Sequence, residues 1–290
     1  KSNIKDARSG KKFMLAMQEI SMSTKPVSTE FFLKKPLNFQ IHLDKHVSVI
    51  GNPSPLKYVR LEENPKIEKK VEDISSDDEL KAVEGIKELY QSKISVEHII
   101  KLLSAGMLGM KNKRILVPTR WAITATDDAI SKQLMTKIKQ YPEISEIMVF
   151  NSDYVGNHYE FILLPDKFSF EVIEAKISGS VWNPMGKTTY FSRDYESFFP
   201  RKKYADNVTG AYYVNRLALC EYLEKIKKQA SCIVIREVRP EYWAPLGVGI
   251  LREASRKAFQ EIPEKFNSIG EAIENIKKRL IIPIEEFGEK

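Results

Sequence analysis

Four stretches of this chain carry residue types able to do chemistry. The run LVPTRWAITATDD, Leu116 to Asp128, sets Thr119, Arg120 and Trp121 behind a proline and ends in the paired carboxylates Asp127 and Asp128. A guanidinium is seldom buried without a carboxylate or phosphate to fork onto, so Arg120 with the threonine hydroxyls would grip a phosphate. Asp127 and Asp128 would then hold a divalent metal ion or divide acid and base work. On purely structural grounds, one aspartate instead caps a helix beginning at Ala129, and Arg120 pairs with an acid inside the fold.

The densest constellation is REVRPEYWAPLGVGILREASRKAF, Arg236 to Phe259. Arg236, Glu237, Arg252 and Glu253 surround the aromatic pair Tyr242 and Trp243. They read either as a polar cleft, with the arginines binding and the glutamates catalytic, or as ion pairs tying a strand to the next helix. In TGAYYVNRLALCEYL, Tyr212, Tyr213 and Arg216 stand at the mouth of a helix just after Gly210. Amides at a helix start favour anions, and tyrosines beside arginine stack a base or ribose; tyrosines at this spacing also fill cores. Finally LPDKFSFEVIEAK places Asp166, Glu174 and Lys176 in the order of a metal-dependent nuclease site, although a plain hairpin explains the segment better.

Histidine and cysteine add little. His42, His46, His98 and His158 are scattered, and His42 and His46 lack the nearby carboxylate of a metal motif, so they read as loop residues. Cys220 and Cys232 form no CxxC pair and read as small apolar core residues. No zinc site is visible. A divalent ion at the paired aspartates is the one cofactor these residues suggest, and its requirement stays open.

The net charge of +7 suits an anionic partner such as DNA or a nucleotide without demanding one. Arg201-Lys202-Lys203, Lys225/Lys227/Lys228 and Lys277-Lys278-Arg279 are basic clusters that solvated helix faces explain as well as phosphate tracks do. No apolar run approaches the ~20 residues of a membrane-spanning helix, and no signal-peptide core opens the chain, so a cytoplasmic protein without membrane contact is expected.

These residues must be positioned by three segments. Residues 1–65 hold many prolines and little helical pattern, predicting an irregular, strand-containing arm with strands at Phe31–Leu33 and Val47–Ile50. Residues 66–112 read as helical. SSDDELKAVEGIKELYQ opens on cap residues, and a second helix spans Val96 to Ala105, stopped by Gly106 and Gly109. Residues 113–290 alternate strand and helix. Arg114–Val117 and Ala122–Thr126 are expected as strand, which would put Arg120, Ala122, Thr124 and Thr126 on one face. Ala129–Tyr141 is expected as helix, and His158–Leu164 with Phe168–Ala175 as a hairpin. Asn215–Ala230 follows as helix, SCIVIREV as a buried strand, and Glu271–Leu280 as helix. Hairpin-like strands argue against a purely parallel sheet. The expected class is α/β (mixed α+β), a mixed, partly antiparallel sheet flanked by helices.

LVPTRWAITATDD, SAGMLG (Ser104 to Gly109), GNHYEFILLP, KYADNVTGAYYVNRLALCEYLEKIKKQA and the REVRPEYW block resemble successive blocks of the archaeal Nre family of DNA repair proteins. MLAMQEISMSTKPVSTEFFLKKP resembles that family's N-terminal segment, so the likeness covers most of the chain. It implies a role in the response to DNA lesions and, for members with the right tail, binding to the sliding clamp. Members commonly begin with a short cysteine-bearing, zinc-finger-like segment. This sequence begins at Lys1 without one, so no zinc is carried over. The tail IIPIEEFGEK has one phenylalanine and lacks the glutamine and paired aromatics of a clamp-binding peptide, so clamp binding is not carried over either. The resemblance supplies no reaction.

Three functions therefore stand. The first is a DNA repair protein that binds nucleic acid or a nucleotide-like ligand in a polar cleft. The second is a metal-dependent hydrolase of phosphoester or glycosidic bonds in nucleic acid or nucleotides, with Arg120, Asp127, Asp128, Arg236, Glu237, Arg252 and Glu253 around one site. The third is a non-catalytic adaptor.

Overall fold

Helix caps and prolines set the boundaries along the first part of the chain. A computed structural model describes residues 3–36, 54–243 and 247–288. They fall into two compact units, residues 3–130 and residues 131–288 within those limits. His42, His46 and the strand expected at Val47–Ile50 lie outside the described residues.

In the first unit, α1 spans Lys12–Met22. The proline count passes over this helix because the prolines begin only after it, at Pro26. Strands β1 (Thr29–Leu33) and β2 (Leu56–Leu61) pair antiparallel. Helix α2 covers Lys69–Ser76 and α3 Ala82–Gln91. The Ser/Asp-rich run does not start one long helix. The Asp77 carboxylate accepts N–H bonds from Glu79 (2.9 Å) and Leu80 (3.0 Å), closing a turn between the two. Helix α4, Val96–Ser104, is capped as its sequence predicts, with the His98 amide donating to the Ser95 hydroxyl at 3.2 Å.

The strand expected over Ala122–Thr126 is a helix. Residues Thr119–Ile138 form α5, and Asp127 and Asp128 lie inside it rather than at its cap. The Pro118 carbonyl accepts from the Trp121 and Ala122 amides at 2.8 and 3.0 Å, starting the helical ladder where proline is well tolerated. The alternation of Ile and Ala with Thr conceals a helical stripe, since Ala122, Thr126, Ala129 and Ile130 are among the buried positions. Arg114–Val117 forms no strand either.

The second unit is built on a six-stranded sheet in the order β6-β5-β7-β4-β3-β8. Its strands are β3 (Ile147–Tyr154), β4 (Asn157–Leu164), β5 (Ser169–Lys176), β6 (Tyr190–Glu196), β7 (Ser231–Val238) and β8 (Glu264–Phe266). Only β5 and β7 pair in parallel; the other neighbours are antiparallel. The mixed sheet is as expected, but the expected β4/β5 hairpin is not formed, because β7 inserts between the two strands. Strand β7 is apolar on both faces over Cys232–Ile235, and a central place buries both. The hairpin is instead β3/β4, closed by Val155 and Gly156.

Helices α6 (Gly210–Ile226) and α7 (Val248–Ala258) cover one sheet face, where Tyr222, Phe259, Phe150 and Phe161 interlock. Helix α8 (Ile269–Ile276) and the chain after it cover the other, packing Ala272, Ile276 and Phe287 on Val149, Ile162, Ile173 and Ile235. Cys220 and Cys232 are buried free thiols, as core residues should be. No described helix is long and apolar enough to cross a membrane.

Candidate functional site

Strand register builds a line of polar residues under α6 and α7. Ser152 on β3 faces Tyr159 on β4, Tyr159 faces Arg236 on β7, Arg236 faces Glu174 on β5, and Glu174 faces Ser192 on β6. Partners in register project to the same face, so the five side chains form one row across five strands. All five are buried. The adjacent row, Phe150, Phe161, Val234, Val172 and Asp194, is apolar except at its edge. The polar row therefore lies toward the carboxyl ends of the parallel strands β5 and β7, where open α/β sheets commonly take ligands.

Arg236 organises the row. It pairs with Glu174, bonds Asn157 through Nε at 3.2 Å and lies 5.7 Å over the Tyr159 ring. Burial works against the Arg236 charge, but Tyr159 and Glu174 outweigh it and raise its pKa. Burial also pushes the Tyr159 hydroxyl far up, so it remains a neutral O–H. Among the described residues, the buried Ser152 Oγ and Ser192 Oγ meet no hydrogen-bond partner. Buried polar groups normally find one, so this row retains unused hydrogen-bonding capacity. At its β3 end, Ser152 enters the wall of a cavity of about 500 Å³ between β3 and α7. Asp153, Tyr154, Glu253 and Lys257 complete its polar and aromatic lining.

Adjacent positions on β7 point to opposite faces, so Glu237 does not join Arg236. On the α8 face, Glu237 Oε1 accepts the Ile281 and Ile282 amides at 2.8 and 2.7 Å, while Oε2 accepts two bonds from Arg239 at 2.9 and 2.7 Å. Arg239 also bonds Asp153 at 2.8 Å. His158 sits between Asp153 (3.3 Å) and Glu160 (2.9 Å). Glu237 thus belongs to a lattice that fastens the C-terminal segment. On α7, Arg252 is buried, whereas Glu253 is 69% exposed and pairs with Arg256 at 3.2 Å. The four residues expected to line one cleft are divided among both sheet faces and a helix.

The expected helix mouth is closed. Tyr212, Tyr213 and Arg216 are buried in the first turns of α6. Arg216 bonds both oxygens of Glu196 (3.0 and 3.1 Å) and Ser131 Oγ (3.1 Å), and it lies over both tyrosine rings at 5.4 and 5.5 Å. The Tyr213 hydroxyl accepts the Ala205 amide at 3.0 Å. In the first unit, Thr119, Arg120 and Trp121 are exposed, with the Arg120 guanidinium 5.3 Å over the Trp121 ring. Asp127 is fully buried and Asp128 half-buried. Consecutive helical positions diverge by about 100°, so these carboxylates do not present a side-by-side pair. Among the described residues, no three His, Cys, Asp or Glu side chains group as metal ligands. Asp166 lies in the turn before β5 and Glu174 near the far end of that strand, which separates the nuclease-like pattern.

Residue patterns missed Ser152, Tyr154, Tyr159, Ser192 and Lys257. A signal was present: Asn157-His158-Tyr159-Glu160 opens an otherwise apolar strand, and buried polar residues at a strand end ask for a reason.

The blocks that build these elements match known proteins along the chain. The family description "Archaeal Nre, N-terminal" matches residues 1–183, and "Archaeal Nre, C-terminal" matches residues 196–290. The chain belongs to the archaeal Nre family. Among Nre relatives, the DNA repair protein NreA of Archaeoglobus fulgidus is 37% identical over 277 residues, 96% of this chain and 70% of that protein. The DNA repair protein NreB of the same organism is 39% identical over 274 residues, 94% of this chain and 69% of that one. The DNA repair protein NreA of Haloferax volcanii is 32% identical over 292 residues, covering 100% of this chain and 69% of its own length. No solved structure matches this Nre chain.

Proposed function

We propose that this chain acts in DNA repair and that it binds a nucleotide unit of DNA in the cavity between β3 and α7. The repair role follows the names of its Nre relatives, each called a DNA repair protein. One observation carries the binding reading: the buried Ser152 hydroxyl, without a hydrogen-bond partner among the described residues, stands in the wall of a cavity of about 500 Å³. That volume lies in the range of small-molecule sites. Tyr154, 46% exposed, offers a ring on which a base stacks, worth about 1–3 kcal/mol. Lys257 supplies a phosphate contact, and Asp153 and Glu253 accept from base amino groups. Both carboxylates are already tied to arginines, Asp153 to Arg239 and Glu253 to Arg256, which favours recognition over acid-base catalysis.

The test is a fluorescence-anisotropy titration of labelled single-stranded and duplex DNA at about 50 and about 200 mM salt. Affinity should fall with salt and weaken in Tyr154→Ala and Lys257→Ala proteins that remain folded. Absent binding, or binding indifferent to both substitutions, overturns the reading.

A further inference from the structure

We infer that the first unit carries a separate docking groove for a partner peptide whose aliphatic anchor is flanked by acidic residues. A cavity of about 350 Å³ lies against the start of α3, walled by Leu103, Leu108, Met110, Ile115 and Val117, with Lys81 and Lys113 among its lining residues. Ile115 is 40% exposed, an apolar side chain left in water at a concave site. Apart from the two lysines, no lining side chain is polar. Both lysines are exposed, and neither engages an acid of the chain among the described residues. Apolar walls with cationic edges complement an aliphatic side chain carried between carboxylates.

The groove is held open by its own backbone. Arg114 donates to three main-chain carbonyls, Gly109 (2.7 Å), Ser75 (2.8 Å) and Asp77 (2.8 Å). The Lys111 amide bonds the Asp78 carbonyl at 2.9 Å, and the Val117 amide bonds Ser104 at 3.2 Å. Gly109 takes φ +104°, a conformation other residues rarely adopt, and lets the loop pass close to Ala82. A site fixed before binding loses less freedom when a peptide arrives.

The experiment is calorimetric titration of the whole chain with a panel of short leucine-centred peptides flanked by Asp and Glu. Control peptides carry Lys flanks or replace the central leucine by serine. Acid-flanked peptides should bind, and both controls should lose about tenfold or more. Ile115→Glu, on an exposed side chain that a folded protein tolerates, should abolish binding. The paired Lys81→Glu and Lys113→Glu substitutions should reverse the preference toward Lys-flanked peptides. No binding by any acid-flanked peptide, or binding unchanged by Ile115→Glu and by the charge reversal, overturns the inference.

Discussion

Arg279 grips Glu160 with two parallel hydrogen bonds, Nε to Oε1 at 2.7 Å and Nη2 to Oε2 at 2.9 Å, across 119 positions of sequence. Glu160 is fully buried and Arg279 partly so, and the paired carboxylate raises the arginine's pKa. A forked pair of this kind fixes orientation as well as distance. The Arg279 carbonyl accepts a further bond from Arg239 at 2.7 Å, and Arg239 is held by Glu237. Glu237, which reads as catalytic in the sequence, thus helps close the second unit over its sheet.

Arg279→Ala should leave the Glu160 carboxylate buried without its fork, a loss of about 3–5 kcal/mol by the measure of other broken buried pairs. Denaturant unfolding reads the loss. Hydrogen exchange should show the Ile281 and Ile282 amides, which donate to Glu237, opening first. Unchanged stability with unchanged protection would remove the fastening role.

The Arg216–Glu196 pair has both side chains at 0% exposure, so it should behave as a buried pair. Arg216→Met alone should cost about 3–5 kcal/mol, because Glu196 keeps its charge and loses its partner. Adding Glu196→Gln removes that charge and keeps an acceptor for the Arg201 amide, now 3.2 Å away. The double substitution should recover at least about 2 kcal/mol of the loss. Equal losses in the single and double variants would contradict this account.

His98 predicts an acid-sensitive step. Burial lowers its pKa, the bond to the Ser21 carbonyl works the other way, and Lys101 adds to the lowering. The unfolded chain, with a histidine pKa of about 6.5, then binds the proton more readily than the native one. Stability is insensitive to this group above about pH 6.5 and falls as the pH drops through the window below it. His98→Gln should flatten the slope between about pH 6.5 and 5 in urea unfolding. A slope unchanged by the substitution would show that His98 does not contribute.

Val155 and Gly156 both have positive φ, 49° and 72°, as a type I′ hairpin turn requires. Gly156 suits this conformation and a branched Val155 does not. Val155 is 45% exposed, so little packing is lost by replacing it. Val155→Asn should stabilise the protein by roughly 0.5–2 kcal/mol, read as a raised melting temperature. A lowered melting temperature would show that the valine contributes more than its backbone costs.

Several features were legible without coordinates because they depend on neighbours in sequence. The Ser95 cap and apolar face of α4, the buried run of β7 and the core character of Cys220 and Cys232 are of this kind. LVPTRWAITATDD misled for the same local reason. Small residues alternating with threonine satisfy a two-residue period almost as well as a helical one, and Pro118 settles the matter by accepting the first helical bonds.

The amino-acid sequence by itself determined the family, the mixed α/β class and several of the local helices and strands, since each rests on composition, on period or on blocks of adjacent residues. Tertiary structure alone decided which charges meet. The insertion of β7 between β4 and β5 lines up Ser152, Tyr159, Arg236, Glu174 and Ser192. Strand order depends on pairing between distant segments to bury both faces of β7, and no short window of sequence contains that choice.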